Sequence, residues 1–266
     1  MTLFLQFAIA LVVILLAAKL GGYISYLLGQ PSVLGELLMG IILGPSVLDI
    51  LHTSYFSGAH LDEVIHLMAE LGVLLLMFIA GLDLHLSDLA RSGRVASQAG
   101  ILGVLFPLGL GLGVGLFFSM EWKSALFLGL TLSATSVSIS AQTLIELKVL
   151  RSRVGITLLG AAVIDDILVI LGMSIFVAVF QAGPSSGYLN ILMIILRMFL
   201  YLMAAFALGL WILPRISTKV DLLPISKGLI SFVFITILLY AWAAEVLGSM
   251  AAITGAFLVG LMLSRS

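Results

Sequence analysis

The chain has 266 residues, of which 62% are hydrophobic and 9% charged, whereas a soluble domain carries roughly a quarter charged residues. Most of its surface must therefore face lipid. Twelve basic and 13 acidic residues give a net charge of −1, which provides no basic field for a nucleic acid, and the absence of cysteine removes disulfides and thiolate metal sites.

A membrane-crossing helix needs about 20 mainly apolar residues. Nine such stretches can be marked off by short polar, glycine or proline breaks, which predicts an all-α, polytopic membrane protein without a soluble domain. The first, Leu3 to Leu28, lacks a basic start and is longer than a signal-peptide core, so it reads as a retained span. It meets the second, Pro31 to Leu51, at a Gly29-Gln30-Pro31 turn, and the third runs from Val64 to about Leu84. Then come Ser97 to Phe118, Ser124 to Glu146, Val154 to Phe180, Tyr188 to Leu213, Ile225 to Leu247 and Met250 to Ser264.

Basic residues orient this partition, because cytoplasmic loops are enriched in lysine and arginine. With the N-terminus outside, Lys19, Arg91, Arg94, Lys148, Arg151, Arg153, Arg215, Lys219, Lys227 and Arg265 fall on the cytoplasmic side, and Lys123 and Arg197 fall outside. The C-terminus of the segment is then cytoplasmic.

The sixth stretch carries Asp165 and Asp166 near its midpoint. A carboxylate there costs about 2.5–3.5 kcal/mol on insertion scales, so two adjacent ones point to function. Successive helical residues diverge by about 100°, so one carboxylate can face an ion cavity while the other meets a partner. The plainer alternative is a buried pair satisfied by neighbouring hydroxyls.

The fifth stretch is crowded with hydroxyl and amide groups: Thr131, Ser133, Thr135, Ser136, Ser138, Ser140, Gln142 and Thr143. Such residues can satisfy carbonyls freed by a local break in the helix, and unwound backbone then supplies oxygen ligands to a hard cation. Close helix packing is the competing use. Together the two stretches would make an acidic, oxygen-rich pocket for which a small monovalent cation and protons compete.

Other polar residues carry less. Glu36 and Glu70 lie nearer helix ends, where local hydrogen bonding accounts for them, and Asp83 is expected to be hydrated. His52, His60 and His66 could sense pH but read as solvated. Glycines 109, 111, 113 and 115 sit inside an apolar helix with no preceding strand, so packing explains them better than a phosphate loop. Adjacent aspartates on one helix also do not suit an intramembrane aspartyl protease, which needs separated motifs, so no enzyme activity is expected.

The run Ser133-Ala134-Thr135-Ser136-Val137-Ser138-Ile139-Ser140, then Leu150 to Gly155, then Gly160-Ala161-Ala162-Val163-Ile164-Asp165-Asp166, resembles sodium/proton exchangers of the second monovalent cation:proton antiporter branch. Pro31 to Glu36, Gly44-Pro45 and Phe78 to Asp83 are similar to the same family. The resemblance implies a homodimeric secondary transporter of two inverted repeats with a discontinuous helix five. The first repeat would occupy about residues 1–180, a linker helix 188–213, and the start of the second repeat 225–266.

It also implies that Asp166 is the principal ion- and proton-binding carboxylate, with Asp165 beside it and Thr135 and Ser136 on the broken helix; Ser133 is the third hydroxyl expected to take part in ion and proton binding. The transported cation, Na⁺ or else Li⁺ or K⁺, would be the metal held by Asp165 and Asp166, with no cofactor. A Gln-Asp pair would resemble potassium efflux proteins, which makes K⁺/H⁺ exchange the alternative; a non-transporting sensor or scaffold is a third reading. The family's second broken helix and the basic partner of its aspartates have no counterpart here, so the chain is expected to be the N-terminal portion of a longer protein of the inner membrane.

Overall fold

The computed structural model describes residues 3–53, 61–84, 86–180, 187–221 and 227–264, and those residues form helices joined by short connections. His60 and Arg265, singled out above, lie outside them. Among the described residues, seven helical stretches are long and apolar enough to cross a membrane, one of them the run Trp122–Glu146. The expected second and ninth spans appear as apolar helices of 12 residues each, shorter than a straight crossing requires.

Two compact units divide the chain: residues 1–73 with 142–148, and residues 74–141 with 149–266. In the first, α1 (Leu3–Leu27) and α2 (Ser32–Leu43) form a hairpin. Its turn is the expected one: Gly29 takes φ 71°, which favours glycine, and the Ser25 hydroxyl donates to the Pro31 carbonyl at 2.7 Å. Gly21 and Gly35 meet where the helices cross, and a β-carbon on either would run into the other's backbone. The second helix stops at Leu43 rather than Leu51 because Gly44-Pro45 follows; a proline cannot donate to the preceding turn and pushes the residue before it out of helical geometry. A short 3-10 turn, Ile50–His52, leads toward α3 (Leu61–Leu82).

The second unit is built on α4 (Leu86–Phe117), which packs along α5 (Trp122–Ser133) and α7 (Arg153–Phe180). Its start precedes the expected Ser97 because apolar patterning marks only the lipid-facing part of a helix, whereas Leu86 to Ala96 continues it with polar residues. Gly111 and Gly115 abut Gly129 and Ala125 of α5, and Gly100 abuts Ala161 of α7, so small residues set these close approaches. Gly109 and Gly113 face open space.

Between α5 and α7 lies α6 (Val137–Glu146), whose residues are shared between the two units. α8 (Gly187–Trp211) is followed by α9 (Leu213–Asp221), with Pro214 at the junction, then α10 (Gly228–Val246) and α11 (Ala252–Leu263). Thr254 to Leu263 are all buried, which suits a short helix enclosed by protein rather than one spanning lipid. Gly260 and Gly81 let α11 press against the C-terminal turns of α3.

Candidate functional site

The fifth expected span is broken where its hydroxyls are densest. α5 ends at Ser133, Ala134 is extended at φ −69° and ψ 115°, and helix resumes only at Val137. An unbroken helix would bond each of these amides to the carbonyl four residues back; here Ala134 N–H reaches only Thr131 O, at 3.4 Å. The freed backbone is partly answered by side chains. Ser133 Oγ donates to Leu130 O at 2.7 Å, and Ser140 Oγ donates to Ser136 O at 3.3 Å.

α7 passes this break without interruption and presents Asp165 to it. Asp165 is 4% exposed, and its Oδ2 accepts a hydrogen bond from Thr135 Oγ1. Its Oδ1 is buried with no hydrogen-bond partner among the described residues. A bare carboxylate oxygen in such a place is costly, and it adjoins a helix break, so the site has acceptor capacity to offer a cation or a proton.

Asp166 points elsewhere, as the helical step of about 100° requires. It is half-buried, and its Oδ2 accepts from Thr254 Oγ1 of α11 at 3.4 Å. Thr254 is 2% exposed and escaped the sequence reading, because it stands alone in its stretch and gains meaning only from a partner 88 positions away. Of the three candidate hydroxyls, Thr135 touches the pair. Ser133 is fully buried with its hydroxyl turned to its own helix, and Ser136 Oγ lies 3.2 Å from Ser138 Oγ.

Glu36, Glu70, Asp83 and Glu146 each have protein partners. In the first unit, Glu36 accepts from Lys19 Nζ at 2.9 Å and from Gln142 Nε2 at 3.1 Å, while Glu146 accepts from the backbone N–H and hydroxyl of Ser32 at 2.7 and 2.8 Å. His66 and Glu70 pair at 3.2 Å. In the second unit, Asp83 is not simply hydrated: Arg151 donates to its carboxylate and to its carbonyl, each at 3.0 Å.

His52 lies between Asp49, 2.6 Å from Nδ1, and Asp62, 3.0 Å from Nε2. The hydrogen bond and charge of Asp49, then the charge of Asp62, push its pKa above the usual 6.5. No cluster of three or more histidine, aspartate or glutamate side chains among the described residues is arranged to hold a metal ion.

The transmembrane sodium/hydrogen exchanger model matches residues 6–266, which include both sides of the helix break and the aspartate pair. The chain belongs to this exchanger family. It is 39% identical over 260 residues to a probable Na⁺/H⁺ antiporter of Bacillus cereus, GerT, covering 98% of this chain and 66% of that one. GerN of the same organism, a Na⁺/H⁺-K⁺ antiporter, is 37% identical over 98% of this chain and 64% of its own. A Na⁺/H⁺ antiporter of Enterococcus hirae is 34% identical over 98% and 66%. The chain thus spans just under two thirds of the length of these relatives. As an exchanger-family member with seven apolar helical stretches of crossing length among the described residues, it is a multi-pass membrane protein.

Proposed function

We propose that the protein exchanges a monovalent cation, Na⁺ first, for protons across the membrane by alternating access. The observation that carries this reading is the buried Asp165 set against the break between α5 and α6, with one oxygen held by Thr135 and the other unpartnered. Asp166, one residue on, provides the second carboxylate. A carboxylate can hold a proton or help to coordinate a cation, and it does one at the expense of the other. If access to the site alternates between the two faces of the membrane, that competition becomes exchange.

In this scheme Asp165 and Asp166 bind the cation and the protons, Thr135 and Ser136 contribute oxygens from the break, and Ser133 braces the end of α5. The transported ions are substrates and no cofactor takes part. Exchange moves ions across the membrane and leaves both substrates chemically unchanged, so under this reading the protein is a transporter and not an enzyme. We further propose that it works as a homodimer in the inner membrane with its N-terminus outside. Its repeats would follow the division at about residues 180 and 225.

Potassium is the second reading, favoured by one specific observation: GerN carries K⁺ in its name and is 37% identical to this chain. Both readings meet one experiment. The full-length protein is reconstituted into liposomes, and cation-driven proton movement is recorded with Na⁺, Li⁺ and K⁺ for the wild type and Asp166→Asn. A Na⁺- or Li⁺-driven flux abolished by the substitution is expected. Flux with K⁺ alone would replace sodium by potassium, and no flux with any of the three would leave a non-transporting sensor or scaffold as the better account.

A further inference from the structure

α8 and α10 lie side by side in the second unit and are joined by their tyrosines. The Tyr201 hydroxyl donates to the Tyr240 carbonyl at 3.1 Å, and the Tyr240 hydroxyl donates to the Ala205 carbonyl at 3.2 Å. Both phenolic protons are thereby committed between the helices. Along this seam runs an open groove of about 360 Å³, with Tyr201, Ala204, Leu208, Tyr240 and Leu247 among its walls.

Arg197 is the sole charged residue lining it. It stands at the end where Leu247 does, just past the last residue of α10, Val246. Arg197 itself lies ten residues past the first residue of α8, about 15 Å along the helix, so its long side chain must extend toward the membrane surface to bring the guanidinium to headgroup depth. Arg197 is exposed and makes no hydrogen bond or ion pair with the described residues. The nearest acid on α10, Glu245, is turned about 200° away from Ala243, which does line the groove, so it cannot answer the guanidinium there.

An arginine within an apolar span is expensive unless it reaches the interface or meets an anion. From Arg197 the groove follows α8 to Leu208, a rise of about 16 Å at 1.5 Å per residue. One cation without a partner among the described residues, on a side chain long enough to reach toward the headgroups and continued by an apolar trough of that length, is complementary to a lipid with a negative headgroup. We propose that this groove binds one anionic phospholipid, its phosphate on the Arg197 guanidinium and one acyl chain laid past Ala204 toward Leu208. A free phosphate would satisfy the arginine and leave the trough empty, whereas a neutral lipid would fill the trough with no net charge to match the cation.

The test is thermal unfolding of the purified full-length protein in a non-ionic detergent, with phosphatidylglycerol, phosphatidylcholine or inorganic phosphate added. Phosphatidylglycerol is expected to raise the midpoint by roughly 5 °C, the shift that saturating a single site produces. Arg197→Gln should lose most of this rise and Arg197→Lys should keep it. Ala204→Trp, which fills the trough and leaves the arginine in place, should lose it as well. Equal stabilisation by phosphatidylcholine, or by phosphate alone, would overturn the proposal, as would a full response in Arg197→Gln. If Ala204→Trp instead lowers the oligomeric mass while the response to phosphatidylglycerol is unchanged, the groove is an interface between copies and the proposal fails.

Discussion

Asp165 has a buried carboxylate with a single donor among the described residues, and that donor is a threonine on an unwound segment. Thr135→Val keeps the shape of the side chain and removes its hydroxyl, which leaves both oxygens without a protein partner. An abandoned buried acceptor costs about 1–3 kcal/mol, so thermal unfolding in detergent should show a lower midpoint, with Thr135→Ser restoring it. An unchanged midpoint in the valine variant would mean that Asp165 does not depend on Thr135. Thr254 tests the other carboxylate. Its bond to Asp166, at 3.4 Å, is long, so losing it removes little binding energy and mainly frees the Asp166 side chain. Under the antiport reading, Thr254→Val should raise the half-saturating Na⁺ concentration in liposomes by roughly two- to tenfold, the equivalent of about 0.5–1.5 kcal/mol. Thr254→Ser should behave as wild type. A valine variant with normal cation dependence would reduce Thr254 to packing.

Among the elements, the α4–α5 contact depends on a backbone approach that only small residues permit. Gly111 abuts Gly129, whereas Gly113 of the same helix faces open space. Gly111→Leu should therefore lower stability by about 1–3 kcal/mol through overpacking, and Gly113→Leu should leave it unchanged or slightly improved by better helix propensity. Equal effects would show that this glycine pair does not set the contact. The contrast also shows how far sequence could go. Composition and apolar run length suffice for helices in lipid, and the crowd of hydroxyls from Thr131 to Thr143 falls on the broken element, where such side chains can satisfy freed carbonyls, although the sequence left close helix packing as a competing use. Which glycines in the 109–115 run face a neighbour was not legible, since that depends on how α4 is rotated against α5. The shortness of α2 was legible in Gly44-Pro45, whereas apolar continuity through to Leu51 suggested a longer helix. Thr254 was not legible at all: a lone threonine has no pattern, and its role is conferred by α11 being enclosed beside α7.

For the molecule as a whole, the pH dependence of stability should carry a contribution from outside the spans. His52 follows α2, and Asp62 lies in the first turn of α3, so their contact clips the connection between these helices within the first unit. Carboxylates accept at both ring nitrogens, so both bonds form only when the ring is protonated. Its pKa in the folded protein is raised above 6.5, first by Asp49 and then by Asp62. A group whose folded pKa is raised contributes stability that is fully present below its unfolded value, and that contribution is lost as pH rises through the folded value. The clip should therefore hold below about pH 6.5 and fade above it. Since the ring is exposed to solvent, salt should weaken the effect further. The measurement is the unfolding midpoint of wild type and His52→Gln between about pH 5.5 and 8.5, spanning the ordinary histidine range. Wild type should lie above the variant at the acidic end and converge with it at the alkaline end, with a smaller gap at high salt. Parallel curves would mean that the two aspartates do not hold a protonated His52, and a gap that opens toward alkaline pH would have the opposite sign and refute the clip.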